Sequence, residues 1–267
     1  MTALTFRLEL RRSRMIALWL TVVVLAYGGI IAGMFPILQE NSKLLEDYMK
    51  ILPKELLAAF GMSGTLTDPG VFFSTYIGSF LWPVIAAMGA IVLATRPLAA
   101  DVERGWAEVV LGTPLTRSRA LGAAILAQAI VLAVLAFATA AGVVVVGGLV
   151  GAGFDPVRFF AAAVVFWLFA CAIAGVTSFV AALTLSRGIA AGVAAGALLI
   201  MYLANIVAEL VVDLAWLGDF GWCRYLTVTE LIDSGTMPWT SVAVFGVVAV
   251  VGWAASAVVF ARRDLLA

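Results

Sequence analysis

The sequence predicts an all-α membrane protein. It has six transmembrane helices, an amphipathic cytoplasmic helix between spans two and three, and both termini in the cytoplasm. Three observations predict this class. Of 267 residues, 64% are apolar, against about 45–50% in ordinary globular chains. Only 12% are charged and the mean hydropathy is +1.12, so too little polar surface exists to cover the apolar surface in water. Third, apolar runs of the length that a bilayer core requires recur along the chain.

In chain order, residues 1–14 read as an N-terminal interfacial helix, with Ala3, Phe6 and Leu10 beside Arg7, Arg11 and Arg14. The remainder, 15–267, reads as one six-span domain. Its spans are Met15–Leu38, Val71–Thr95 with Pro83 inside it, Ala120–Val150, Val157–Leu185, Gly188–Val212 and Trp239–Ala261. The first is too long for the apolar part of a signal peptide and no clean cleavage site follows it, so it reads as retained. Gly188, Gly192 and Gly196 repeat at helical spacing, which suits close packing against a helix of the same subunit.

The outer connection 39–70 is amphipathic. Leu44, Leu45, Tyr48, Met49, Ile51 and Leu52 share one helical face, opposite Lys43, Glu46, Asp47 and Lys50. Pro53 divides it and Gly61 can cap a second short helix. Between spans five and six, the segment 213–238 carries Trp216, Trp222 and Tyr225, residues suited to a membrane interface. It reads as a re-entrant segment on the outer side.

Orientation follows from Lys and Arg near the span ends. One side holds eleven: Arg7, Arg11, Arg12, Arg14, Arg96, Arg104, Arg117, Arg119, Arg187, Arg262 and Arg263. The other holds five: Lys43, Lys50, Lys54, Arg158 and Arg224. The richer side is the cytoplasm of a cell whose inner (plasma) membrane the chain crosses several times.

Composition also excludes functions. Sixteen basic and sixteen acidic residues leave no net charge to attract nucleic acid. No histidine is present, which removes Ser–His catalysis, histidine proton relays and histidine-ligated metals. Cys171 and Cys223 are too few for a thiolate metal site. No Gly-x-x-x-x-Gly-Lys-Ser/Thr phosphate loop occurs. The chain is therefore expected to bind no cofactor and to catalyse no reaction itself.

The connection between spans two and three carries the most specific pattern. On a helix over 101–111, Val102, Trp106, Val109 and Val110 lie on one side, and Asp101, Arg104 and Glu108 on the other. Pro114 disfavours helical geometry at Thr113 and ends the helix near Gly112. The result is an interfacial helix that offers charges to the cytosol. Asp101, Glu103, Gly105, Glu108, Thr113, Pro114 and Arg117 together resemble the signature of ABC-2 type transporter permeases. The family usually has Thr-Leu where this chain has Trp106-Ala107, and often Ser where it has Gly112. The stretches Leu52–Gly61 and Phe260–Leu265 are similar to the outer loop and terminus of these permeases, and Arg224-Tyr225-Leu226 with Glu230-Leu231 is weakly similar to the motif before span six. The resemblance implies a coupling helix at 101–111 that docks an ATPase, with Glu103, Arg104 and Glu108 as contacts. It also implies two ABC ATPase subunits carrying ATP and Mg, and a second permease copy, identical or related.

Polar residues inside spans are costly and therefore informative. Gln128, Thr177, Ser178, Asn205 and Glu209 are candidates for a substrate pathway or gate, with Glu209 the one acidic residue within the spans. A secondary transporter would need coupling carboxylates near the midplane, and Glu209 sits near a span end. An intramembrane enzyme lacks the paired groups chemistry needs. A non-transport assembly protein is the remaining alternative.

Overall fold

The computed structural model describes residues 2–41, 68–78, 81–100 and 117–262. The predicted outer helices between Lys43 and Gly61 lie outside them. So do the segment 101–111 that is expected to dock an ATPase, with Asp101, Glu103, Arg104, Gly105 and Glu108, the residues Thr113 and Pro114, and the ending after Arg262. All regular structure among the described residues is helical.

Helix α1 spans Thr2–Glu40 without interruption. The expected interfacial helix and the first span are one element, because no Gly or Pro occurs before Gly28 to stop propagation. Helix α2 (Pro69–Phe73) starts after Asp68, with Pro69 in the first position where its missing N–H costs nothing. It continues as a π-helical turn, Ser74–Gly78. Helix α3 (Leu81–Thr95) follows and passes into a second π-helical turn, Arg96–Ala100. The two pieces, Pro69–Gly78 and Leu81–Thr95, meet at a 42° bend.

Helix α4 covers Arg117–Leu149. A tight turn follows, with left-handed backbone at Gly151 (φ 70°) and Gly153 (φ 67°). Asp155 then caps α5 (Pro156–Thr184), accepting from the Val157 N–H at 2.9 Å. Leu185 closes α5 in the left-handed conformation, φ 50°, a position glycine usually takes. Its side chain packs against a small cluster that includes Ala181 and Phe260. Helix α6 is Arg187–Leu210. Two 3-10 stretches, Val212–Phe220 and Trp222–Arg224, lead to the short α7 (Thr229–Ser234) and the last helix α8 (Trp239–Arg262).

Among the described residues, five helices are long and apolar enough to cross a membrane: α1, α4, α5, α6 and α8. The bent α2–α3 pair is a sixth if it forms one span.

Two helix pairs hold the bundle. Along α1 and α4, a Cβ placed on Gly28 would stand 2.7 Å from the Thr139 carbonyl, and one on Gly142 would strike the Leu25 carbonyl. Along α5 and α8, a Cβ on Gly175 would stand 2.7 Å from the Ala249 carbonyl, and one on Gly252 would stand 2.8 Å from the Val176 nitrogen. Such backbone-to-backbone contact replaces the hydrophobic drive that lipid removes. Trp82 sits between the pairs, 1% exposed, with its ring 4.5 Å from Phe166 and its indole N–H donating to Thr139 Oγ1 at 2.8 Å.

At one end of the bundle, Arg96 Nη1 donates to the Arg12 carbonyl at 2.7 Å, tying α1 to the exit of α3. A small cluster of Ala99, Leu121, Ala181, Ala182, Ala190 and Phe260 joins the other helix ends there, with Leu185 packed against it. At the opposite end an aromatic cluster forms. Phe73 lies edge-on to Phe154 and Phe159 at 5.0 and 4.8 Å, and Phe35 packs on Phe72 at 5.1 Å.

Helix α6 is the exception, with only 11% of its spanning window buried. Its buried residues are Ala190 and Ala194. The sequence suggested that Gly188, Gly192 and Gly196 pack within the subunit. Among the described residues, no atom lies within 4 Å of the Cβ positions at any of the three. The helix turns that edge outward because Ala190 and Ala194 occupy the face toward α5 and α8.

Candidate transport pathway and docking segment

The segment expected to dock an ATPase is bounded by described residues on both sides. Thr95 Oγ1 donates to the Ile91 carbonyl at 2.9 Å as α3 ends. Ala99, 0% exposed, and Leu121, 4% exposed, both enter the same small cluster with α5, α6 and α8. The chain thus leaves and returns at one place. Arg117, the last residue of the motif, starts α4.

The polar residues of the spans occupy three different settings. Gln128 is 3% exposed and its Nε2 donates to the Leu93 carbonyl at 3.3 Å, between α4 and α3. Its Oε1 has no hydrogen-bond partner among the described residues. Thr177 and Ser178 are both fully buried on α5. Thr177 Oγ1 donates to the Ile173 carbonyl at 2.7 Å, while Ser178 Oγ has no partner among the described residues. Asn205 lies on α6 against Gly218 and Gly221 of the following segment. Glu209 is exposed one turn further on. The structure brings Asn205 and Glu209 near one helix end and holds Gln128 and Thr177 at separate interfaces.

The segment after α6 folds back along it. Gly218 approaches Ala208, Gly221 approaches the Met201 carbonyl, and Trp222 reaches Leu198, whose carbonyl accepts from the indole N–H at 3.4 Å. Trp222 also stacks on Tyr202 at 6.1 Å and packs on Phe169 at 5.2 Å. Two apolar cavities flank this contact. One, about 210 Å³, lies between α5, α6 and α8, walled by Phe169, Thr177, Ala194, Leu198 and Phe245 and closed at one end by Trp222 and Tyr225. The other, about 190 Å³, lies between α3 and α6. Sequence reading saw Trp222 and Tyr225 as interface anchors and missed both cavities. The paired Gly218 and Gly221, which allow the close return, were the available signal.

Cys171 and Cys223 are both free. Burial pushes the Cys223 thiol, in the connecting segment, up to about 12, so it stays protonated.

A polar cleft of about 600 Å³ opens at the aromatic end, among Asp68, Asp155, Arg158 and Asp233. The Gly70 N–H donates to Asp233 Oδ1 at 2.7 Å. Arg158 pairs with Asp155 at 3.2 Å and donates to the carbonyls of Ile232, at 3.0 Å, and Asp233. One guanidinium therefore fixes α7 to the start of α5. Arg158→Ala should lower stability by about 1–2 kcal/mol, below a fully buried charged hydrogen bond because the side chain is partly exposed. The check is a thermal unfolding midpoint in detergent, with Arg158→Lys between mutant and wild type. An unchanged midpoint for Arg158→Ala would remove the latch role.

The family model described as ABC-2 family transporter protein matches residues 6–265. No curated protein matches the chain. The match takes in every described span and the motif between the second and third, and the chain belongs to the ABC-2 family of transporter membrane proteins.

Proposed function

We propose that this chain is the permease subunit of an ATP-binding cassette exporter and works with separate ATPase subunits. The family match over residues 6–265 carries this reading. The sequence holds no phosphate loop, so ATP and Mg belong to the partner. Two ATPase subunits dock from the cytosol on Asp101, Glu103, Arg104, Gly105 and Glu108, with Thr113, Pro114 and Arg117 setting the turn into α4. Two permease copies, identical or related, complete a twelve-span pathway in the inner membrane.

The helix ends support the orientation. Arg12, Arg96, Arg119, Arg187 and Arg262 collect where α1, α3, α4, α6 and α8 meet, whereas Asp68, Asp155 and Asp233 collect at the other end. The arginine end is then cytoplasmic. The return of Trp222 to mid-length of α6 supports a re-entrant reading of 213–238. Gln128, Thr177, Ser178, Asn205 and Glu209 stand as pathway or gate residues.

ATPase closure pushes on the docking helix, and the cluster of Ala99 and Leu121 with Phe260 passes the push to α5, α6 and α8. That is coupling in the thermodynamic sense, since the two states differ in free energy for the ATPase. The test is co-purification from the native membrane. An ABC ATPase is expected with the wild type and lost with Glu103→Lys plus Glu108→Lys. If no ATPase accompanies the wild type, the exporter reading fails.

A further inference from the structure

We infer that the cavity between α5, α6 and α8 is a binding site for one acyl chain of a bilayer phospholipid. This goes beyond the exporter reading and does not depend on it. The cavity holds about 210 Å³, and an apolar cavity of about 150 Å³ already admits benzene. Its walls come largely from Phe169, Ile173, Val193, Leu198 and Phe245, so the surface it offers is mostly hydrocarbon, with Thr177, Trp222 and Tyr225 as the polar side chains among the lining.

The chemistry of the lining selects the occupant. Water needs two or more polar partners to occupy a cavity. The Thr177 hydroxyl is already committed to the Ile173 carbonyl. The Trp222 indole N–H is likewise given to the Leu198 carbonyl, so water, ions and headgroups gain little by entering so apolar a lining. The mouth lies between Val176, Val193 and Val248, which are 42%, 50% and 37% exposed. Val193 to Met201 is the middle stretch of α6. When the helix crosses a bilayer, that stretch stands at the hydrocarbon level. Trp222 and Tyr225 close the cavity toward the connecting segment. Entry is therefore sideways, from the lipid. Acyl chains are present there at far higher concentration than any other apolar solute, and mass action favours them.

Bound in this way, the chain end wedges between α6 and the α5–α8 pair. It supplies contacts that the protein itself withholds from a helix only 11% buried.

The test uses the full chain in nanodiscs of phosphatidylethanolamine carrying a mid-chain diazirine. After photolysis, labelled residues are mapped by mass spectrometry. Label should concentrate on Val176, Val193 and Val248 over the outward-facing Val247, Val250 and Val251 of α8. Ala197→Phe places a ring in the cavity from an exposed position and should not disturb folding. It should cut lining label about tenfold, the effect of about 1.4 kcal/mol. Val193→Trp, from the same mouth, should do likewise for the label on Val176 and Val248. The proposal is overturned if label spreads evenly over both sets. It is equally overturned if Ala197→Phe and Val193→Trp fold normally and leave the lining label unchanged, or if the lining residues cross-link to a second copy of the chain instead of lipid.

Discussion

Trp82→Ala is expected to destabilise the protein by about 3–5 kcal/mol, the range for truncating a large buried aromatic side chain. Trp82 is 1% exposed and joins three helices at once. Its ring lies 4.5 Å from Phe166 and 6.4 Å from Phe169 on α5, and its N–H reaches Thr139 on α4. In lipid the loss is one of packing, since removal from water does not drive helices together there. The hydrogen bond is the smaller part. Trp82→Phe keeps most of the ring and should cost only about 1 kcal/mol. Thr139 keeps its own donation to the Leu135 carbonyl at 3.0 Å in either variant. Unfolding midpoints in detergent rank the three proteins. If Trp82→Ala and Trp82→Phe unfold together near the wild type, the ring does not link the two helix pairs.

Gly252→Val should have the next largest effect. A first side-chain carbon there would meet the Gly175 carbonyl at 2.7 Å and the Val176 nitrogen at 2.8 Å, both backbone atoms that cannot rotate away. The helices α5 and α8 must separate along their length. Overpacking costs about 1–3 kcal/mol in well-packed cores, and a backbone-limited contact belongs at the upper end. Gly246→Val is the control on the same helix, since no described atom lies within 4 Å of its Cβ position. Folded yield and thermal midpoint should fall for the first and hold for the second. Equal behaviour of the two would mean the α5–α8 contact is looser than its geometry.

Much of the fold was legible because lipid leaves few choices. Backbone groups must pair within each span, so apolar length alone locates helices. Asp155 caps the start of α5 and Leu185 closes it, at the two edges of one apolar run. The bend before α3 was not legible. Pro83 lies inside the expected second span, and it occupies the first turn of α3, where its missing N–H needs no partner. The 42° change of direction is between the pieces Pro69–Gly78 and Leu81–Thr95, ahead of Pro83.

The site was legible in a different way. The motif from Asp101 to Arg117 resembles a family's from sequence alone, and all of it before Arg117 lies outside the described residues. The settings of Gln128 and Thr177 depend on which helices neighbour them, which periodicity does not encode. The same holds for Trp222. Its composition suits an interface, whereas its position against Leu198 comes from a tertiary return.

The unequal attachment of the helices sets how the molecule can yield. α1 with α4, and α5 with α8, touch backbone to backbone and behave as two stiff struts. α6 is a rib fastened mainly through Ala190, Ala194 and the side chain of Trp222. Compliance in a scaffold of this kind concentrates in its weakest fastening. A load applied at the arginine end, where Ala190 of α6 shares a cluster with Ala99 and Leu121, would leave the struts intact and swing the rib.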